Sequence, residues 1–169
     1  GFFGSPFVGF KHFINFFQDF YFQRVFFNTI RIAVLTLVCT FPAPIILALL
    51  INELKSRRLS KFVQTITYIP HFISIVVVVS IMMDLTARDG AVTYFLSKFG
   101  FEPVTMLNQK EYFLPLYIIS AIWQNIGWNS IIYLSALTSI DAELYEAARI
   151  DGAGKFRQLV SVTLPCLLP

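Results

Sequence analysis

The sequence predicts an all-α fold: a polytopic bundle of transmembrane helices with about three spans, followed by a cytoplasmic loop. Three observations carry that reading. Hydrophobic residues make up 56% of the 169 positions and aromatics 17%, while charged residues reach 14%, against about 25% in soluble domains. The apolar residues gather into three stretches long enough to cross a bilayer, near 25–51, 62–85 and 112–140. The loops between them alternate in charge, as a fixed membrane orientation requires.

A folded chain this short exposes a large share of its surface, and 19 Phe and 7 Tyr are more than one water-bounded core can hide. The composition therefore excludes a soluble enzyme, a nucleic-acid binder and a disordered linker. A net charge of +3 does not change this, because the basic residues are scattered or confined to one short loop. Cys39 and Cys166 have neither CxxC nor metal-ligand spacing and read as apolar fillers, so no metal site is expected. The chain opens on Gly1-Phe2-Phe3-Gly4, without a basic leader, and stops at Pro169 just inside an apolar run. It reads as an internal piece of a longer protein, a single transmembrane domain over 1–169.

The first segment holds eleven Phe through Phe27, beside Lys11, His12 and Asp19. It suits a stretch lying along a membrane interface, and equally a cap packed on neighbouring helices. His12 reads as an interfacial residue rather than a ligand.

The first span, 25–51, contains an uncharged run from Ile32 to Ile51. Twenty helical residues rise about 30 Å, the thickness of the hydrocarbon core. Pro42 and Pro44 are tolerable there because neighbouring helices can satisfy the freed backbone groups, and Arg31 lies near one end, within reach of the interface. The second span, 62–85, is predicted to kink at Pro70, which lacks the N–H that would bond the carbonyl of Ile66. His71 falls in line with Gln64, Thr67 and Ser74, so two readings stand: a polar stripe along a transport path, or hydrogen bonding between helices beside the kink.

The third span, 112–140, carries Gln124, Asn125, Trp128 and Asn129 on one helix face. Such a stripe belongs against other helices or a wet pathway, not lipid. Trp123 and Trp128 suit stacking on sugar rings and suit packing between helices.

Loop charge orients the spans. Residues 52–61 hold Lys55, Arg57, Arg58 and Lys61 against Glu53, the signature of a cytoplasmic loop. Residues 86–111 carry no basic excess and are expected outside. By alternation the N-terminal end is external and everything after Ile140 is cytoplasmic.

From Asp141 to Pro165 the pattern turns amphipathic. Asp141 can cap a short helix in which Leu144, Ala147, Ala148 and Asp151 share a face. Gly152 and Gly154 end it in a turn. A second helix places Phe156, Leu159, Val160 and Thr163 on one side before Pro165 closes it. This is the shape of a docking plug: the Ala pair allows close backbone approach and Glu146 offers a charged anchor. Gly152-Ala153-Gly154-Lys155 is not a P-loop, since Arg149 stands where the first Gly belongs and Phe156 where Ser or Thr must hold magnesium. No nucleophile–base pair, paired catalytic carboxylates or HExxH site lies on the spans.

Glu146-Ala147-Ala148, three residues, Gly152, nine residues and Val162-Thr163-Leu164-Pro165 resemble the EAA loop of binding-protein-dependent ABC importer permeases. The family pattern has Ile where this chain has Val162. Phe41-Pro42-Ala43-Pro44 with Leu47-Ala48-Leu49-Leu50, and Tyr68-Ile69-Pro70-His71-Phe72-Ile73-Ser74, are similar to its sugar branch, in particular to the polysaccharide-type permeases of Gram-positive bacteria. The resemblance implies a type I permease of about six helices, with one before Gly1 and two after Pro169. It implies that Glu146, Ala147, Ala148, Gly152, Leu164 and Pro165 form the coupling loop seated in a separate ATP-binding subunit. Glu146 would pair with a basic group there. The other implied partners are a second homologous permease and an extracellular solute-binding lipoprotein. ATP would bind the partner subunits, so no cofactor is expected on this chain. His71, Gln124, Asn125, Trp128 and Asn129 are the residues expected along the translocation path. An oligosaccharide is the implied cargo. The rivals are a permease of the same family for another solute, an ion-coupled transporter and a membrane-bound enzyme. Asp84 is the only carboxylate within the spans, which disfavours ion coupling.

Overall fold

A computed structural model describes residues 9–167, and every regular element among them is helical. Contacts within the chain separate two units, 1–38 and 39–169.

In the first unit, α1 (Lys11–Gln18) stops at Asp19, whose backbone is extended. The Asp19 carboxylate accepts the Tyr21 N–H at 2.8 Å and so starts α2 (Phe20–Thr40). Phe22 lies 4.6 Å from Phe16 and 5.0 Å from Phe17, ring to ring, and stacks on Phe26 at 5.7 Å. This aromatic cluster folds α1 back on the first turns of α2. Other rings face outward, Phe10 and Phe20 among them. Phe2, Phe3 and Phe7, part of the interfacial expectation, lie outside the described residues.

The predicted first span, 25–51, lies within the helical stretch Phe20–Asn52. Helix begins at Phe20 and breaks at Phe41, after which α3 (Pro42–Asn52) restarts with Pro42 in its first turn. A proline there gives up an N–H that has no partner anyway. Phe20–Asn52 is, among the described residues, the one helical stretch that alone is long and apolar enough to cross a membrane. Only 17% of its most apolar window is buried. A core helix of a soluble protein would be mostly buried, and this stretch is not.

The second stretch is broken far more sharply than a kink. α4 (Arg57–Tyr68) starts on Ser56, whose Oγ accepts the Leu59 N–H at 3.3 Å. It passes into a 3₁₀ turn over Ile69–Phe72, and α5 (Ile75–Leu85) leaves at 100°. Pro70 removes one backbone donor, and Ile73 and Ser74 are extended, so the chain turns a corner where a kink was predicted. His71 therefore does not share a helix with Ser74. The basic loop is also shorter than 52–61, since Arg57, Arg58 and Lys61 lie in the first turns of α4.

The segment 86–111 is not wholly loop. α6 (Ala91–Ser97) and a 3₁₀ turn at Met106–Asn108 fold back, and the Met106 N–H donates to the Thr86 carbonyl at 3.0 Å. α7 (Lys110–Thr138) has the length of a third span, but its polar residues keep it below the apolarity that Phe20–Asn52 reaches.

α7 is the organising helix of the second unit. α3 buries Pro44, Ala48 and Ile51 along one stripe, and α7 packs on both α3 and α4. Gly127 of α7 lies against the backbone of Thr67 in α4, and a Cβ there would strike the Thr67 carbonyl. Close crossing through a small residue is the usual way helices associate where no water drives them together.

After Ser139 come α8 (Ala142–Ile150) and α9 (Lys155–Gln158), then a π-helical stretch over Leu159–Thr163 and α10 (Leu164–Leu167). Pro165 does not close the second helix as predicted. The π register, with the Leu164 N–H donating to the Leu159 carbonyl, carries the helix through the proline. It also rotates the predicted inner face: Thr163 is buried, whereas Phe156 is 78% exposed.

Candidate functional site

Two groups of sequence-predicted residues are placed in the second unit. The first is the loop of α8 to α10. Asp141 caps α8 as predicted, its carboxylate accepting the Glu143 N–H at 3.0 Å. The helix ends in a Schellman turn: the Gly152 N–H reaches the Arg149 carbonyl at 3.0 Å and the Ala153 N–H reaches the Ala148 carbonyl at 2.8 Å. Gly152 has φ of +75°, a left-handed conformation that a side chain would strain. Arg149 in the last turn suits the negative end of the helix dipole.

Glu146 and Ala147 are exposed and Ala148 is half-buried. Leu164 and Pro165 are exposed on α10. The loop thus presents a carboxylate and two small residues outward, as a plug would.

Sequence reasoning missed how the two arms of this loop are braced. Tyr145 Oη lies 3.0 Å from Thr163 Oγ1, across the turn. Gln158, buried, donates its amide N–H to the Ala153 carbonyl at 2.7 Å. Tyr145 and Thr163 lie on separate helices across the turn, and Ala153 meets Gln158 through its backbone, so the periodicity of one helix could not have found these contacts. A cleft of about 940 Å³ separates α8 and α9 from the end of α3, lined by Ile46, Leu50, Glu53, Tyr145, Glu146 and Phe156 among others.

The second group lies where the 3₁₀ turn meets α7. His71 Nδ1 is 3.1 Å from Asn125 Oδ1, and its ring stacks on Trp128 with centroids 4.7 Å apart. Phe72 meets Trp128 edge to face at 5.5 Å. Gln124 donates its amide N–H to the Ile73 carbonyl at 2.9 Å, supplying a partner where the broken helix cannot. Four of the five predicted path residues are therefore brought together. Asn129 is exposed and makes no hydrogen bond to them among the described residues. Gln64 bonds Ser60 Oγ at 3.0 Å and does not join the cluster. Gly127 was not singled out in the sequence, although a glycine inside an apolar helix is a signal of close helix approach.

Residues 40–169 match the family described as the binding-protein-dependent transport system inner membrane component. The chain is 46% identical over 168 residues to the polygalacturonan/rhamnogalacturonan transport system permease protein YteP of Bacillus subtilis (strain 168), covering 99% of this chain and 52% of the relative. It is 30% identical to the sn-glycerol-3-phosphate transport system permease protein UgpA of Escherichia coli O6:K15:H31 (strain 536 / UPEC), covering 99% and 56%. In structure it is similar to a chain of a bacterial ABC transporter involved in the import of the acidic polysaccharide alginate: TM-score 0.88, 45% identity, 98% of this chain and 58% of that one. The chain spans about half the length of the curated relatives it matches.

Proposed function

Because the chain belongs to the family of binding-protein-dependent transport system inner membrane components, a family of transport proteins rather than enzymes, we propose that it is part of the permease of an ATP-driven importer that brings oligosaccharides into the cell. The observation that carries the mechanism is the Schellman turn at Gly152, which holds the exposed Glu146 on a short, braced helix. A rigid plug of this kind can pass motion from a protein that grips it into the helices it continues, here α7. ATP binds partner subunits; Glu146 pairs with a basic group on one of them, and Ala147 and Ala148 permit close approach.

In this reading the loop and residues 52–61 lie on the cytoplasmic side, and the segment 86–111 and the N-terminal end lie outside. A second permease completes the pathway and a solute-binding lipoprotein delivers cargo to it. The cargo assignment draws support from two likenesses, the YteP permease and the alginate importer, both named for polysaccharides. We place His71, Gln124, Asn125, Trp128 and Asn129 beside the translocation path. His71, Gln124 and Asn125 are occupied by one another and by backbone, so Trp128, 42% exposed, and Asn129 are the groups left for a sugar. A second reading, uptake of a small phosphorylated polyol, draws on the likeness to UgpA.

Proteoliposomes holding the full-length permease with its second permease, ATPases and binding protein discriminate these readings. ATP-dependent uptake of labelled oligosaccharide, with none of glycerol 3-phosphate, is expected. The reverse preference favours the second reading, and uptake driven by an ion gradient without ATP sinks both. Orientation is checked by labelling Lys55→Cys and Glu102→Cys with a membrane-impermeant thiol reagent, which should reach only Glu102→Cys from outside.

A further inference from the structure

One ion pair joins the coupling loop to the end of α3. Lys155 Nζ lies 2.9 Å from Glu53 Oε2 and 3.2 Å from Oε1. Among the described residues no other side-chain hydrogen bond or ion pair links 141–167 to the earlier helices. Glu53 is the C-cap of α3, and Lys155 is the first residue of α9, just beyond the glycine turn. The pair bridges the cleft between α3 and the loop, and both residues line it. The loop is otherwise attached to α7, covalently through Ser139 and by packing of α10 against it.

The two arms of the loop are tied by Tyr145 on Thr163, and Gln158 holds the turn between them. A displacement of α8 is therefore felt at Lys155. We propose that Glu53 and Lys155 form a latch that carries movement of the loop into α3, so that the loop drives two transmembrane helices, α7 through the chain and α3 through this ion pair. Both residues act as positioning residues, without touching cargo. The inference rests on the importer reading above. It gives Lys155 a role that its place after Gly154, so like half a nucleotide-binding loop, left unexplained.

The pair is exposed, so its strength is modest and falls with ionic strength. The test uses the complete reconstituted complex and reads uptake per ATP hydrolysed. Glu53→Lys and Lys155→Glu should each lower that ratio by about two- to fivefold, and the double charge swap should restore it. Raised salt should lower the wild-type ratio towards that of the single variants. Single variants that transport as well as wild type, or a double variant no better than the worse single, overturn the latch while leaving the importer reading intact. If Lys155→Glu loses the ATPase on copurification and Glu53→Lys does not restore it, Lys155 binds the ATPase and the latch fails. A wild-type complex without ATP-dependent uptake overturns the importer reading and the latch together.

Discussion

The imidazole of His71 and the indole of Trp128 lie face to face, their planes 3° apart and their centroids separated by 4.7 Å. The stack joins the corner of the broken second stretch to α7. The neighbouring hydrogen bonds set the donor and acceptor roles beside it. Asn125 Nδ2 donates to the Ala121 carbonyl at 3.1 Å, which turns Oδ1 towards the imidazole. Nδ1 of His71 must then carry the proton and donate. The His71 Nδ1, the Asn125 amide and the Gln124 N–H thus all find partners within the protein.

This pairing should be measurable as a coupling. His71→Ala and Trp128→Ala should each destabilise the full-length permease to thermal unfolding in detergent. The double variant should lose less than the sum of the two, with a coupling of about 1 kcal/mol. Strict additivity would show that the rings lie together without holding the corner. Asn125→Leu, which strands the imidazole N–H, should cost about 1–3 kcal/mol.

Gly127 allows α7 to touch the backbone of Thr67, and a Cβ would also come within 2.9 Å of the Thr67 side chain. Gly127→Ala must push the helices apart or bend one of them. A destabilisation of about 1–3 kcal/mol is expected, seen as lower yield and earlier unfolding in detergent. Ser135→Ala, exposed on the same helix, should change stability by less than about 0.5 kcal/mol. Equal behaviour of the two variants would place the crossing elsewhere.

What the sequence disclosed and what it hid divide along a physical line. Local chemistry was legible: Asp141 as a cap, Gly152 as the left-handed turn and the polar face of α7 all follow from residue type and spacing. Pro70 announced a disturbance, but a missing N–H cannot say whether the chain kinks or turns through 100°. That choice was made by partners far along the chain, Gln124 on the Ile73 carbonyl and Asn125 on His71. Lys155 and Glu53 were equally invisible as a pair, since nothing local in either segment names the other. Pro165 failed as a stop because the π stretch before it widened the helix, a register change that no apolar periodicity encodes.

Gly152→Pro tests the turn. Proline fixes φ near about −65°, whereas the Schellman turn holds Gly152 at +75°, and it also removes the N–H that bonds the Arg149 carbonyl. The spans lie outside this change, so the protein should still reach the membrane in normal amounts. The loop would lose its fold, and ATP hydrolysis should continue with uptake reduced to background. Normal uptake by this variant would contradict the rigid-plug mechanism.

Glu146 and Glu143 both stand exposed on α8, and only their neighbourhood distinguishes them. Glu143 is in the first turn, where its charge favours the helix dipole and its N–H answers the Asp141 cap. Glu146 lies a turn later, beside the Ala pair, where a partner's backbone can come close. Reversing the charge at an interfacial anchor sets like charges against each other and strands the partner's cation. Glu146→Lys should therefore weaken copurification of the ATPase by about tenfold or more, a loss of about 1.4 kcal/mol or greater, and uptake should fall in parallel. Glu143→Lys makes the same change in net charge and should leave copurification close to wild type. If both variants lose the ATPase equally, the loop attracts its partner by net charge alone, and Glu146 is not the anchor.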